Sequence, residues 1–329
     1  MAKPLVYRNT ATNLPNWDPS NKLHETCARG YAYESDTHFV HFYGYGPPYW
    51  TITCGLTVTE IINGSLIDWC QRIFGAEDIE VGSYEVGTIS NKLWRPGLLT
   101  DHEVSSFISD SDYNRRLSEQ AILSLMQRLD DICFYVEPTA HNMNAYGHKI
   151  RDLLILSCTE VENICSSLLR LCGLSKAGSR TTTREYFLLK DLSTMSNWQI
   201  KLHRHQDAPL FSPFHGWQGS KPTQSLPWYE AYNKVKHDRT GNFHLATLKC
   251  AIESVCACLV LYMSQYGPHK LWDTGSQFSA TINDSYSVRL EGLDPKTVYV
   301  PEINIPPNQR PDLVCYNSVA NIKPRAIST

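Results

Sequence analysis

Ionisable side chains are concentrated in one stretch of the sequence, residues 228–265, in which a polar segment precedes a strongly apolar one. The polar segment predicts a short helix over 228–239. On that helix Asn233 and His237 would lie on the same face, because they are four residues apart. Histidine transfers protons near neutral pH, so this face could take part in acid–base chemistry.

A second pair, Arg239 and His244, follows around a break near Gly241, where the backbone is loosened. A long apolar helix is predicted next, and His244 would lie at its N-terminal end, where free N–H groups suit a phosphate. An arginine can hold phosphate oxygens in its planar fork. The pattern therefore favours phosphate chemistry. The predicted core stripe of the apolar helix comprises Leu248, Ala251, Ile252, Val255, Cys258, Leu259 and Tyr262.

The spacing Arg239-x4-His244 resembles the arginine–histidine motif of the HEPN superfamily (higher eukaryotes and prokaryotes nucleotide-binding). The sequence YNKVKHDR, followed by an alanine-rich helix, is also similar to bacterial HEPN-like proteins. The resemblance covers about half of the chain. It implies a small helical bundle whose last helix begins at the motif. Many members of this superfamily are metal-independent ribonucleases, and many act in toxin–antitoxin or antiphage systems.

This resemblance assigns His244 the role of acid and base, and Arg239 the role of phosphate clamp. A second registration stays open, because Tyr232-Asn233-x3-His237 matches the family pattern Arg-Asn-x3-His with tyrosine in place of arginine. Asn233 and His237 would support the first pair or, in the second registration, replace it. Tyr232 carries no positive charge, although Arg239 could supply one from the same turn.

The same resemblance predicts the ligands and partners. Lys234, Lys236 and Tyr232 are expected to bind substrate, and RNA is the expected substrate. HEPN ribonucleases generally place two copies of the motif across a dimer cleft, so a homodimer is implied. A toxin or defence role also implies an antitoxin or another defence partner. No cofactor and no metal are predicted; Cys256 and Cys258, two residues apart on a helix, point in different directions.

Two glutamates, Glu160 and Glu162, flank the apolar face of a helix predicted over 147–171. The simpler interpretation is a solvated flank or a salt bridge. In some HEPN-like proteins an acidic residue on an earlier helix orients the catalytic base. On this ground Glu160 is a candidate site residue, although nothing in the sequence selects it over Glu162.

Two long helices are predicted to position the site. The first covers 112–136 and ends before Pro138, and the second covers 147–171 after the connection HNMNAYG. Their apolar residues recur at helical spacing, which is typical of helices in a bundle. Together with the apolar helix after His244, they predict a helical bundle.

The N-terminal region contains no motif that indicates chemistry. The sequence HFVHFYGYGPPYW predicts either a strand and turn or an aromatic binding loop. On a strand His38 and His41 would lie on opposite faces, so a structural or stacking role is favoured over metal binding. The run 57–74 is predicted to be helical despite Gly64.

The segment 173–227 is too long for an ordinary connection between helices. It predicts a short helix, a strand within NWQIKLHRH and a loop rich in Pro and Gly. Basic side chains alternate there with aromatic ones, which would suit single-stranded nucleic acid. For the tryptophans, packing onto the bundle is the preferred interpretation. The aromatic residues concerned are Trp198, Phe214 and Trp217 of the segment and Trp228 immediately after it.

Composition limits the function classes. The 329-residue chain is 42% hydrophobic and 19% charged, which is typical of a globular protein, and its net charge is −3. Any nucleic-acid site must therefore be a local patch. The N-terminus lacks the apolar core of a signal peptide, and no run of roughly 18 apolar residues predicts a membrane span. We expect a cytoplasmic protein with reduced thiols. Its cysteines at 158, 165 and 172 are expected to be buried hydrophobes.

The sequence thus predicts a mainly α protein: a HEPN-like helical bundle with an α+β N-terminal region and a loop-rich insertion. The predicted boundaries are 1–110 for the N-terminal region and 111–270 for the bundle, with its insertion at 173–227, and then an extended C-terminal segment over 271–329. Two functional hypotheses follow. One is a metal-independent endoribonuclease in a toxin or antiphage system, and the other is a non-catalytic module that binds nucleotide or RNA, or dimerises as a scaffold.

Overall fold

The computed structural model describes residues 3–45, 52–89, 92–97, 112–175, 181–268, 271, 275–305, 312–314 and 323–324. The chain divides into two compact units. The sheet unit comprises Met1–Asn91, Arg95–Ile108 and Gly292–Ala326; the helical unit comprises Lys92–Trp94, Ser109–Glu291 and Ile327–Thr329. The predicted C-terminal segment over 271–329 is therefore shared between the two units.

An antiparallel six-stranded sheet is the centre of the sheet unit. With numbering along the chain, its strands are β1 (Leu5–Arg8), β2 (Arg29–Glu34), β3 (His38–Gly44), β4 (Ile52–Ile61), β5 (Glu77–Val81) and β9 (Asp312–Val314). They lie in the order β5-β1-β2-β3-β4-β9. Two helices, α1 (Leu23–Thr26) and α2 (Leu66–Phe74), and a two-residue parallel pair, β6 (Thr88–Ile89) with β10 (Lys323–Pro324), complete the unit.

Both faces of this sheet are covered by apolar residues. Successive side chains of a strand point to opposite faces, so Tyr7 lies in one core with Phe74 of α2, while its neighbour Val6 lies in a second core with Val300. Every residue of β3 is buried as a result. The strand alternative for the aromatic run is confirmed over His38–Gly44; residues 46–50 lie outside the described residues.

The helix predicted over 57–74 is wrong in its first part. Residues up to Ile61 belong to β4, and α2 begins after Ser65, whose side chain accepts a hydrogen bond from the Ile67 N–H. The helix ends at Gly75, which has a φ of 58°. The alternating Thr and Val residues of β4 favour a strand, and Ser at the N-cap with Gly at the C-terminus delimits a shorter helix.

The helical unit contains four principal helices, α3 (Asp112–Cys133), α4 (His148–Leu171), α7 (Pro227–His237) and α9 (Leu248–Tyr266). The central helix α9 packs against the other three. Fifteen of its 19 residues are buried, from Leu248 to Gln265. Its polar Ser254 is paired with Ser157 of α4, so the buried hydroxyls are hydrogen-bonded. Shorter elements are α5 (Thr183–Tyr186), α6 (Leu188–Leu192), α8 (Arg239–Asn242), α10 (Gln277–Ser285), β7 (Trp198–Leu202) and β8 (Tyr286–Leu290).

The prediction of a mainly α fold is wrong, because the protein is α+β. The large sheet is built from strands rich in aromatic and β-branched residues. The helical unit also contains a sheet, in which β7 pairs antiparallel with β8 over Trp198–Leu202 and Tyr286–Leu290. This second pairing joins residues about 90 positions apart, a distance over which hydrophobic periodicity carries no information.

Among the described residues, α9 is the one helix long and apolar enough to cross a membrane, judged by length and composition only. Its mean hydropathy is 1.3, and 83% of the stretch is buried inside the protein. The buried core helix of a globular protein can be equally long and apolar, and the burial of α9 is typical of such a helix.

Candidate functional site

An open groove of about 550 Å³ lies in the helical unit beside the start of α9. We call it the His244 groove. Residues of α7, of the connection before α4 and of the turn before α9 form its walls. Its polar or aromatic lining residues are Asn144, Tyr146, Glu230, Lys234, His244, Thr247 and Cys250, and its apolar ones are Pro227, Ala231 and Leu245.

Backbone pairing holds the two walls of the groove together at the start of α9. Tyr146 forms an antiparallel bridge with Thr247, and the Leu248 N–H donates to the Ala145 carbonyl at 2.7 Å. The Thr247 hydroxyl then accepts from the Cys250 N–H at 3.3 Å, which caps α9. His244 lies just before this cap, in a 3-10 turn over Phe243–Leu245, and not on the helix itself.

The residues of the first predicted pair, Arg239 and His244, lie in two different turns. Asp238 ends α7 and caps the single turn α8, accepting from the Gly241 N–H at 3.0 Å, so Arg239 begins a separate turn. Arg239, His237 and His244 are all exposed, and His244 is the one of the three that lines the groove. None of the three forms an ion pair with another residue in the described part of the chain.

In the second predicted registration, Asn233 and Tyr232 form hydrogen bonds within α7. The Asn233 side chain donates to the Tyr229 carbonyl at 3.0 Å, within α7. Tyr232 is fully buried, and its hydroxyl accepts from Lys236 Nζ at 2.7 Å. Burial raises the pKa of Tyr232, and the hydrogen bond to Tyr232 raises the pKa of Lys236, which therefore stays protonated at neutral pH. Tyr232 and Lys236 thus form a contact on the bundle, away from the groove lining.

The two glutamates of α4 are now distinguishable. Glu162 accepts from the Tyr229 hydroxyl at 2.7 Å, which joins α4 to α7. Burial, followed by this hydrogen bond, raises the pKa of Tyr229. Glu160 accepts a hydrogen bond at 3.5 Å from Asn163 of its own helix. The hydrogen bonds described for Glu160 and Glu162 are thus made with residues other than a histidine. Glu162 supports α7, the helix that carries Lys234.

An ion pair lies in the wall of the groove. Lys234 Nζ is 2.9 Å from Glu230 Oε1, one turn apart on α7, and about half of the lysine side chain is exposed. Exposed pairs of this kind contribute about 0–1 kcal/mol to stability. Lys234 can therefore leave Glu230 for a phosphate at little cost. Lys234 is the predicted substrate-binding residue that the structure brings to the same groove as His244.

Three aromatic residues of the segment 173–227, and Trp228 just after it, belong to the core. Trp198, Phe214, Trp217 and Trp228 are each at most 2% exposed, which confirms the packing interpretation. Trp217 and Trp228 donate their indole N–H groups to the carbonyls of Pro222 and Pro213. Lys190 donates to the Trp217 carbonyl at 2.8 Å, so this basic residue supports the fold as well. None of these rings is available to stack on a base.

The regularly spaced cysteines Cys158, Cys165 and Cys172 are buried, as predicted, and each is a free thiol. Burial raises the pKa of Cys172 to about 11, so its thiol stays protonated at neutral pH. Across the described ranges no group of three or more His, Cys, Asp or Glu side chains could hold a metal ion.

Three groove residues, Asn144, Tyr146 and Glu230, are not among the predicted site residues. The first two belong to the connection HNMNAYG, which the sequence indicates only as a link between helices. A usable signal was an aromatic side chain within a short polar connection, immediately before Gly147. Glu230 was visible as a charged residue of the 228–239 helix, four residues before Lys234.

No protein-family model, curated protein or solved structure matches the chain. The His244 groove and the residues beside it are therefore the features of the chain that indicate its function.

Proposed function

We propose that the helical unit is a metal-independent endoribonuclease with its reaction centre in the His244 groove. One observation carries the proposal: His244 is exposed and lines an open groove together with Lys234 and Glu230. A titratable imidazole in a concave site with convergent charged groups is the usual arrangement of an acid–base centre. The resemblance to the HEPN motif, which also centres on His244, supports the same conclusion.

In this mechanism His244 takes the proton of a ribose 2′-hydroxyl. The 2′-oxygen attacks the adjacent phosphorus, the bond from phosphorus to the 5′-oxygen breaks, and the leaving oxygen takes a proton from a second acid. The products are a 2′,3′-cyclic phosphate and a 5′-hydroxyl. Lys234 contacts the phosphate as its charge develops, and Arg239 binds a phosphate outside the groove.

The proposal also includes the oligomeric state of the enzyme and the cellular system in which it acts. The second acid is supplied by a second copy of the chain, so the active form is a homodimer. The enzyme acts on cytoplasmic RNA in a toxin or antiphage system, in which an antitoxin or defence partner controls it. We expect the dimer to be the cleaving species in size-exclusion fractions assayed with RNA.

A second candidate is a binding module without catalysis. Two observations favour it: Arg239 is not among the residues that line the groove, and Glu230 compensates the charge of Lys234. Such a module would hold RNA or a nucleotide in the groove, or serve as a dimerisation scaffold.

The test is cleavage of mixed cellular RNA by the purified full-length chain in the presence of a chelator. His244→Ala, Arg239→Ala and His237→Ala are compared with the wild type and with a control, His215→Ala, at another exposed histidine that does not line the groove. Loss of cleavage in His244→Ala with retention in His215→Ala supports the proposal. Loss in His237→Ala alone would favour the second registration.

The same variants separate the two candidates. RNA binding that depends on His244 and Lys234, without cleavage at any protein concentration, would replace the enzyme by the binding module. Neither cleavage nor binding by folded wild-type protein would reject both.

A further inference from the structure

We propose that the His244 groove accepts one unpaired nucleotide of RNA, with its base stacked on the ring of Tyr146 and its polar edge bonded to Asn144. The inference rests on the proposed function and deepens it. It makes the substrate class single-stranded RNA, or an RNA loop, rather than duplex RNA.

Tyr146 has the exposure that a stacking platform requires. It lines the groove and is 54% exposed. Trp198, Trp228 and Tyr232 of the same unit are at most 1% exposed and cannot receive a base. An exposed aromatic ring at a groove is a sequence-tolerant site for nucleobases, because every base has a π-face.

The ring of Tyr146 is also held in place. Phe243 meets it edge to face, with ring centroids 5.7 Å apart and an interplanar angle of 88°. Phe243 in turn contacts the ring of His148 at a centroid distance of 4.9 Å. The backbone bridge to Thr247 also holds the residue in place. Preorganisation reduces the entropy that binding must offset.

This support also links the ring to the proposed reaction centre. Phe243 immediately precedes His244 in the same 3-10 turn. Tyr146 therefore packs against the turn that carries His244, and a base stacked on Tyr146 would lie close to that turn. The ribose and phosphate of that nucleotide would be directed toward the part of the groove that His244 and Lys234 line.

The remaining features of the groove fit a nucleotide. Its volume of about 550 Å³ falls within the range of sites for single small ligands. Asn144 is exposed at the end of the 3-10 turn Ala140–Asn144, and its amide both donates and accepts hydrogen bonds. Bases in an RNA duplex are stacked and paired, so only an unpaired base can be turned into such a site.

The test measures binding of fluorescent oligonucleotides to the full-length chain carrying His244→Ala, which removes cleavage. Three probes of equal length are used: an unstructured RNA, the same RNA in a duplex, and a fully abasic sugar–phosphate chain. Tyr146→Ala and Tyr146→Phe are introduced into this background. Tyr135→Ala is the matched control, because Tyr135 is 82% exposed in the same unit and does not line the groove.

Stacking on an aromatic ring contributes about 1–3 kcal/mol per base, which corresponds to about a 5- to 150-fold change in Kd. We therefore expect Tyr146→Ala to weaken binding of the unstructured RNA by about that factor. Tyr146→Phe and Tyr135→Ala should bind as the parent does. The abasic chain should bind all variants equally, since it offers no base to stack.

The outcomes separate this inference from the proposed function. Unstructured RNA that binds Tyr146→Ala as tightly as the parent overturns the stacking inference, while His244-dependent cleavage would still stand. Equal affinity for duplex and unstructured RNA also overturns it. No binding of any probe, either by the parent or by the wild-type chain, rejects the nucleic-acid function itself. If Tyr146→Ala fails to fold, Tyr146→Leu, which keeps the apolar volume but lacks an aromatic face, replaces it.

Discussion

Two histidines of this protein, one in each unit, have opposite surroundings. His41 of the sheet unit is fully buried, stacks on Phe74 at a centroid distance of 3.6 Å, and shares a 2.6 Å hydrogen bond with the Tyr7 hydroxyl. His244 of the helical unit is exposed at a groove. The predicted stacking role of His41 is confirmed.

The comparison shows that solvent access determines what a histidine can do. Burial lowers the pKa of His41 well below its ordinary value of 6.5, so it stays neutral at physiological pH. His41 could take up a second proton only by placing a positive charge in an apolar core, which is unfavourable. His244, in contrast, is exposed at the groove and is accessible to a substrate. Chemistry is therefore expected at one site and stability at the other.

The largest expected effect is on catalysis at the groove. His244→Ala should lower the rate of RNA cleavage by about 10²- to 10⁴-fold, because positioned acid–base groups contribute that much. The free energy of unfolding should change by less than about 0.5 kcal/mol, as for other exposed sites. Single-turnover cleavage and urea unfolding measure the two quantities. A variant that loses stability instead of activity would contradict the comparison.

His41→Ala should show the reverse behaviour. Removal of a buried ring that packs on Phe74 should destabilise the sheet unit by about 3 kcal/mol, since loss of buried aromatic side chains has effects of that size. Hydrogen exchange of the β3 amides reports on this unit alone. RNA cleavage by the folded fraction should be unchanged. Unaltered protection of β3 would show that His41 contributes little to stability.

The pH dependence should follow from the same residue. The folded state binds fewer protons than the unfolded state below pH 6.5, because the pKa of His41 is lowered by burial. Stability of the sheet unit is therefore complete above pH 6.5 and decreases as the pH falls below it, by up to about 1.4 kcal/mol per pH unit for one site. His41→Phe should flatten the profile between pH 6.5 and 5, measured by β3 exchange. Identical profiles for both proteins would reject His41 as the source.

A smaller effect is expected at the cap of α9. Thr247→Ala should destabilise the helical unit by about 1 kcal/mol, because the hydroxyl no longer accepts from the Cys250 N–H. Thr247→Ser should retain most of the stability. Thermal unfolding of the two variants checks this, and equal losses in both would assign the effect to packing of the methyl group.

The smallest expected effect concerns the ion pair in the groove wall. Glu230→Gln should change stability by less than about 1 kcal/mol, since the pair is exposed. It should strengthen RNA binding by about 2- to 5-fold at low salt, because Lys234 loses its competing carboxylate. Anisotropy titrations at two salt concentrations measure this. Weaker binding in the variant would indicate that Glu230 itself contacts the ligand.

The elements with strong local patterns were predictable. The helices predicted over 112–136 and 147–171 correspond to α3 at Asp112–Cys133 and α4 at His148–Leu171, since their apolar residues recur with the helical period. The stripe from Leu248 to Tyr262 is buried as predicted. The strand β8 was not, because its partner β7 lies about 90 residues earlier in the chain. The strand β4 was missed although its alternating Thr and Val residues favour a strand.

The amino-acid sequence by itself determined the long helices, the apolar core helix α9, the buried thiols and the concentration of ionisable groups at 228–244. These depend on local spacing, which is present in any window of the chain. Tertiary structure alone decided which histidine is buried and which faces a groove. It also brought Tyr146 to the turn that carries His244, because α9 packs on α4 and the Tyr146–Thr247 bridge joins their ends. Such contacts depend on how helices and strands pack, and no single stretch of sequence encodes them.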